Sequence, residues 1–229
     1  MNMKKQRKRY ALLLLSCLFL AAIWPGILAD ESAFSAWKKM EIGEGAIADV
    51  NYRRSMLDEK GREIRVQEGL GTSPHNVLML RDATNRYEES EEGLIKWQEQ
   101  IQFDETGKLI LLIKAKFVND VQLEAEWFNP EGKRTHRTEV DPVTGITHTI
   151  AIRDWLKTQM GVVQVSEIFL PKGEGRSLSE VMFNYDAAGK LVNAKHYVYN
   201  KEKNSVRQEP YDGTPSEAVL EMVKEWFGN

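Results

Sequence analysis

Cysteine is almost missing from this chain. Of 229 residues only Cys17 is a cysteine, and it lies in the first segment, ahead of everything that reads as a folded domain. Beyond it there can be no disulfide, no thiolate nucleophile, no Cys-ligated zinc and no iron–sulfur cluster. A domain of about 200 residues does not need disulfides, because it can bury roughly 70% of its unfolded surface. Histidine is scarce as well. The four are His75, His136, His148 and His196, and none lies three or four residues from another. A zinc site would have to be assembled across the fold.

Other chemistry is excluded in the same way. Gly69-Leu70-Gly71 is followed by neither the Walker nor the dinucleotide spacing. There is no Gly-x-Ser-x-Gly elbow, and Ser35-Ala36-Trp37-Lys38 has the Ser-x-x-Lys spacing without its companion motifs. No catalytic residue, cofactor or metal is therefore expected. The fraction of hydrophobic residues is 42% and of charged residues 28%, which argues against wholesale disorder.

The first 29 residues carry a different pattern. Lys4, Lys5, Arg7, Lys8 and Arg9 precede an uncharged run from Tyr10 to Ala29. A basic head before an apolar run reads as a secretion signal. Pro25 and Gly26 favour an extended segment, and Ile27 and Ala29 stand where a signal peptidase reads, placing cleavage after Ala29. The run is also long enough for an uncleaved membrane anchor. Leu14-Leu15-Ser16-Cys17 has a lipobox pattern, but apolar residues continue well past the cysteine. The expected organisation is thus residues 1–29 as signal peptide or N-terminal anchor and residues 30–229 as one exported, mainly β domain. The product would be secreted, periplasmic or at the cell surface, touching a membrane only through an uncleaved N-terminus. Without the leader the chain has 26 basic and 34 acidic residues, a net charge of −8. Such a balance, with no basic block, excludes nucleic acid as a partner.

What the sequence has in abundance is one kind of turn. It occurs as Leu57-Asp58-Glu59-Lys60-Gly61, Phe103-Asp104-Glu105-Thr106-Gly107, Phe128-Asn129-Pro130-Glu131-Gly132 and Tyr185-Asp186-Ala187-Ala188-Gly189. Val140-Asp141-Pro142-Val143-Thr144-Gly145 is one residue longer. Asp or Asn accepts from backbone two residues on, and Gly takes the positive φ that closes a hairpin. Phe103 to Leu109 and Tyr185 to Leu191 resemble the tyrosine–aspartate repeats of bacterial Rhs-type shell proteins. The likeness covers only those seven-residue stretches, and the turns are irregularly spaced.

Alternation flanks the turns. Ile95, Trp97, Ile101 and Phe103 share one strand face, and Leu109, Leu111, Ile113, Ala115 and Phe117 share another. Val118-Asn119-Asp120-Val121 reads as a two-residue hairpin, completing a three-strand meander over about 94–128. Further hairpins should join 47–57 to 63–68 and 180–185 to 191–199. Thr72–Asn85 and Lys172–Ser179 read as loops. Thr214-Pro215-Ser216-Glu217 reads as a capping box opening a helix over about 215–227. Short helices are expected over Ile152–Met160 and Ser32–Met40. The fold class expected is α+β, mainly β: a curved antiparallel hairpin and meander sheet with two or three peripheral helices, one of them C-terminal.

Four polar residues interrupt apolar strand faces: Glu99, His148, Glu167 and His196. Each must be paired or wet, since an unpaired carboxylate or imidazole in a core is costly. They could line a cleft with Trp97, Trp127, Tyr197 and Tyr199. Two readings follow. One is a non-catalytic binding or interaction module that uses a sheet surface or cleft to hold another envelope protein, a peptide or a lipid. The other is a hydrolase whose carboxylates and histidines converge in a sheet cavity.

Overall fold

The computed structural model describes residues 33–40, 50–154, 161–171, 179–200 and 205–228. By its contacts the chain divides into Met1–Ala36 and Trp37–Asn229, and every element below belongs to the second unit. The leader and its cleavage site lie outside the described residues.

The architecture follows from the turns. A 13-stranded antiparallel sheet runs in unbroken sequence order. Its strands are β1 (Lys38–Lys39), β2 (Tyr52–Leu57), β3 (Glu63–Ser73), β4 (Asn76–Ser90), β5 (Gly93–Phe103), β6 (Leu109–Val118) and β7 (Val121–Phe128). They continue as β8 (Arg134–Val140), β9 (Thr147–Arg153), β10 (Val163–Leu170), β11 (Ser179–Tyr185), β12 (Leu191–Asn200) and β13 (Ser205–Pro210). The sheet is open, since β1 and β13 are its two edges. One helix, α1 (Glu217–Phe227), ends the chain.

Each Asx-Gly turn closes as its residues dictate. At the β5–β6 turn Asp104 N donates to Lys108 O (2.9 Å) and Gly107 N donates to Asp104 O (2.9 Å). Asp104 Oδ1 accepts from Thr106 N (2.9 Å) and Lys108 N (3.0 Å). Gly107 has φ 78°, a value that an L side chain rarely adopts. At Asp58, Asn129 and Asp186 the two backbone bonds recur, and Oδ1 again accepts from the amide four residues on. In the longer turn Asp141 N donates to Ile146 O, Gly145 N donates to Asp141 O, and Asp141 Oδ1 accepts from Val143 N and Thr144 N. At β6–β7, Asn119 and Asp120 have φ 49° and 63°, the pair of positive values that a two-residue I′ turn needs.

Four of these turns carry a register shift in the strand just before the Asx: Met56/Leu57, Gln102/Phe103, Trp127/Phe128 and Asn184/Tyr185. The shift has a consequence for the core. Beyond it, Ile101 pairs with Leu112, Glu99 with Lys114 and Trp97 with Lys116. The apolar face of β5 therefore meets the lysine face of β6, and the glutamine face of β5 meets Ile113 and Ala115. Neither face becomes a dry core, and β5 is half-buried along nearly its whole length.

The apolar core sits elsewhere. Ile150, Ile152, Val163, Val165, Val181, Phe183 and Tyr185 form one face of β9–β11, and Val219, Met222 and Val223 of α1 cover it. Each fully buried aliphatic side chain of this kind contributes about 1.5–3 kcal/mol. Charge ties down the outer side of α1. Arg134 on β8 bonds Glu225 (2.6 Å), Glu221 (3.2 Å) and Glu126 on β7. Lys133 donates to the Trp226 carbonyl (2.8 Å), among the last carbonyls of the helix, which the macrodipole favours.

Three expectations change. Thr72–Asn85 is not a loop, because β4 occupies 15 residues from Asn76. Its buried Arg81, Asp82 and Asn85 disguise it, since they break apolar alternation on both faces. Ile152 belongs to β9 and the core rather than to a helix, and 155–160 lie outside the described residues. Residues 35–40 hold β1 and no helix, so α1 is the one α-helix among the described residues. The loop expected over Lys172–Ser179 falls outside the described residues, apart from Ser179, which opens β11.

Candidate functional site

Direct partners in an antiparallel ladder point to the same face. One row of partners crosses the molecule: Glu99–Lys114–Glu126–Arg137–Ile150–Glu167–Val181–His196–Glu209. Phe169 pairs with His148, which places His148 two residues along the same face of β9. All four interrupting polar residues thus share the face that α1 covers in part. Only two of them meet.

His148 Nε2 lies 3.0 Å from Glu167 Oε1. Ser216 Oγ donates to the same oxygen at 2.7 Å. The imidazole is held flat against Phe169, with ring centroids 4.5 Å apart and planes 6° off parallel. Glu167 is 7% exposed. Burial pushes its carboxyl up, but the bonds from His148 and Ser216 and the charge of His148 outweigh that and hold it below its ordinary value. Ser216 is the N-cap of α1, and its oxygen also accepts from Val219 N at 3.3 Å. The cap is therefore two residues later than Thr214, and the helix starts at Glu217. Sequence gave Ser216 no role beyond the capping motif, and nothing local could join it to Glu167, 49 residues away.

The order of this constellation decides its chemistry. A serine nucleophile needs a base that takes its proton and a third group that orients the base. Here the carboxylate stands in the middle. Ser216 donates to Glu167 rather than to His148, and the hydroxyl is also spent on the helix cap. The arrangement is that of a clamp that fixes the start of α1 to β10.

The other candidates are separated. His196 is two strands from Glu167, about 10 Å at the usual spacing. It has its own neighbours: Ser179 Oγ at 3.0 Å from Nε2, Glu209 Oε2 at 3.8 Å from Nδ1, and the edge of Tyr211. Glu99 lies farther off on β5, opposite Lys114 (3.7 Å) and about half open to solvent. Trp97 shares the Glu99 face, between Arg86 and Lys116 at 6.0 and 5.4 Å from the ring. Trp127 does not. It pairs with Ile113 and His136 on the opposite face, where the His136 ring meets it edge-on at 5.9 Å. Tyr197 is on that opposite face too, so the cleft lined by these aromatics is not formed. Among the described residues no three His, Asp or Glu are grouped to hold a metal ion.

A concavity does exist, in a place that strand patterns did not flag. A groove of about 630 Å³ lies between the β6–β7 turn, the β8–β9 turn and the end of β10. Val118, Val121, Leu123, Val140, Leu170 and Pro171 line it. Its volume is that of a small-ligand or peptide side-chain site. The signal available in sequence was apolar residues beside turns, notably Val121 next to Asn119-Asp120, which a strand reading counts as core. No family model, curated protein or solved structure matches the chain.

Proposed function

We propose that the chain is an exported, non-catalytic binding or interaction module of the cell envelope or extracellular space, which uses its open antiparallel sheet and the groove at one end of it. The groove carries the reading. It is mostly apolar, it lies at turns rather than in the packed core, and the strands that frame it are paired on either side. The basic head and apolar run of residues 1–29 support export. The clamp geometry supports a binding role, since in the closer of the two carboxylate–histidine pairs, His148–Glu167, the carboxylate serves a helix cap.

The test is a pull-down from the envelope fraction with the domain starting at Asp30, in parallel with a variant carrying Leu123→Asp and Leu170→Asp in the groove. A partner retained by the first and lost by the second, with both proteins equally folded, is the expected result. Equal capture by both would remove the groove from the account. Two observations stand on the side of a hydrolase. One is the His148–Glu167 contact. The other is His196 set between Ser179 Oγ (3.0 Å from Nε2) and Glu209 Oε2 (3.8 Å from Nδ1), the order of nucleophile, base and orienting group. His148→Ala, His196→Ala or Ser179→Ala abolishing a measurable esterase or glycosidase activity would favour that reading instead.

A further inference from the structure

The two edges of the open sheet are built differently. The N-terminal edge, β1, is two residues long and both are lysines, a length and charge that discourage another strand from adding. The C-terminal edge, β13, is six residues long, and among the described residues β12 is its one partner. Val206 is 65% exposed there. No lysine guards it. The charged residues that it carries, Arg207 and Glu209, are two apart on one face and paired to each other.

That spacing is self-complementary. If two copies of β13 pair antiparallel about a two-fold axis through Gln208, Arg207 of each faces Glu209 of the other, and Val206 faces Pro210. The pairing would continue the ladder of one sheet into the next, with both α1 helices on the same side. We propose that β13 is a self-association edge and that its occupant is a second copy of this chain, seated in this register. This goes beyond the binding reading and does not depend on the groove, which lies at β6–β10. The contact is small, so the dimer should be weak and concentration-dependent.

The test is sedimentation equilibrium of the purified chain from Asp30 over a wide concentration range. The native protein should show a monomer–dimer equilibrium. Arg207→Glu or Glu209→Arg alone sets like charges opposite each other twice per dimer, and should raise Kd by about tenfold or more. The double variant R207E/E209R restores the opposite charges and should restore the native Kd. Arg207 is 75% exposed and Glu209 35% at the sheet edge, so circular dichroism should show the same fold in all variants, with a slightly lower melting temperature where Glu209 is removed from His196. A native protein that stays monomeric at every concentration overturns the proposal. So does a dimer that either single variant leaves intact, or one that the double variant fails to restore. If the dimer is confirmed, envelope capture through the groove remains a separate result, because L123D/L170D leaves β13 untouched.

Discussion

Strands β9–β11 and strands β3–β4 both bury side chains to a few per cent exposure, but the first bury mostly apolar groups and the second mostly polar ones. Under α1 the buried groups are Ile150, Val163, Val165, Phe183, Val219 and Met222. In β3 and β4 the polar Gln67, Glu68, Arg81, Asp82 and Asn85 are buried beside Val66, Leu80 and Ala83. Arg65 grips Asp82 with two bonds, at 3.0 and 2.6 Å, and Gln67 adds a third at 2.9 Å. On the other face Arg81 meets Glu68 at 3.2 Å and Gln100 at 2.7 Å. Burial lowers the pKa of Arg81, and Glu68 opposes that shift. One end of the sheet is held by apolar packing against a helix. The other is held by cross-strand pairs that no described helix covers. A single long meander tolerates this because each strand touches only its neighbours, as in repeat proteins, so the two ends need not share one core.

The comparison can be broken most severely by removing α1. Truncation after Gly213 exposes the β9–β11 face and should leave an insoluble or molten product, with dye binding and no near-ultraviolet dichroism. A soluble truncated domain with native melting would show that the apolar end does not rest on the helix. Next in size is Asp82→Ala. It leaves Arg65 and Gln67 buried without their acceptor, and should cost about 3–5 kcal/mol in denaturant unfolding. A loss below 1 kcal/mol would mean that the polar end is solvated and the pairs are ornamental.

Glu167→Gln probes the clamp between the halves of the apolar end. It should cost about 1–3 kcal/mol, as expected when a buried charged bond is weakened. Its pH dependence is more diagnostic. The folded carboxyl lies below its ordinary value of 4.5, so its contribution is complete above that value and is lost as pH falls through the folded one. The native protein should lose more stability than E167Q between pH 5 and pH 2. The turn carboxylates Asp58, Asp104 and Asp141 are lowered in the same direction by bonds from Arg62, Thr106 and Thr144, and they act equally in both proteins. Identical pH profiles would remove Glu167 from the account. The smallest effect belongs to Glu99→Gln. The pair with Lys114 is about half exposed, and its loss should change stability by less than about 1 kcal/mol.

Which parts were legible in sequence follows from how local their causes are. Asp104 and Gly107 make their turn with atoms at most four residues apart, so the pattern was enough. The α1 stripe was legible for the same reason, although the cap was set two residues early, because Ser216 owes its place to Glu167. The faces of β5 and β6 were each visible, but the register shift at Gln102/Phe103 that sets one against the other was not. Strand β4 was hidden because Arg81, Asp82 and Asn85 are buried among Leu80 and Ala83, and that mixture leaves no apolar period to read. Glu167 and His148 were visible as interruptions of an apolar pattern, and their contact depends on the β9–β10 register.

Native-state hydrogen exchange, read amide by amide through increasing denaturant, tests most directly that the strands under α1 are held separately from the rest of the sheet. Amides of β10 and β11, under α1, should exchange only through global unfolding. Those of β5 and β6, half-buried on both faces, should exchange earlier through a smaller opening that leaves β10 and β11 protected. A single opening free energy shared by all four strands, or greater protection in β5 and β6 than in β10 and β11, would contradict the account.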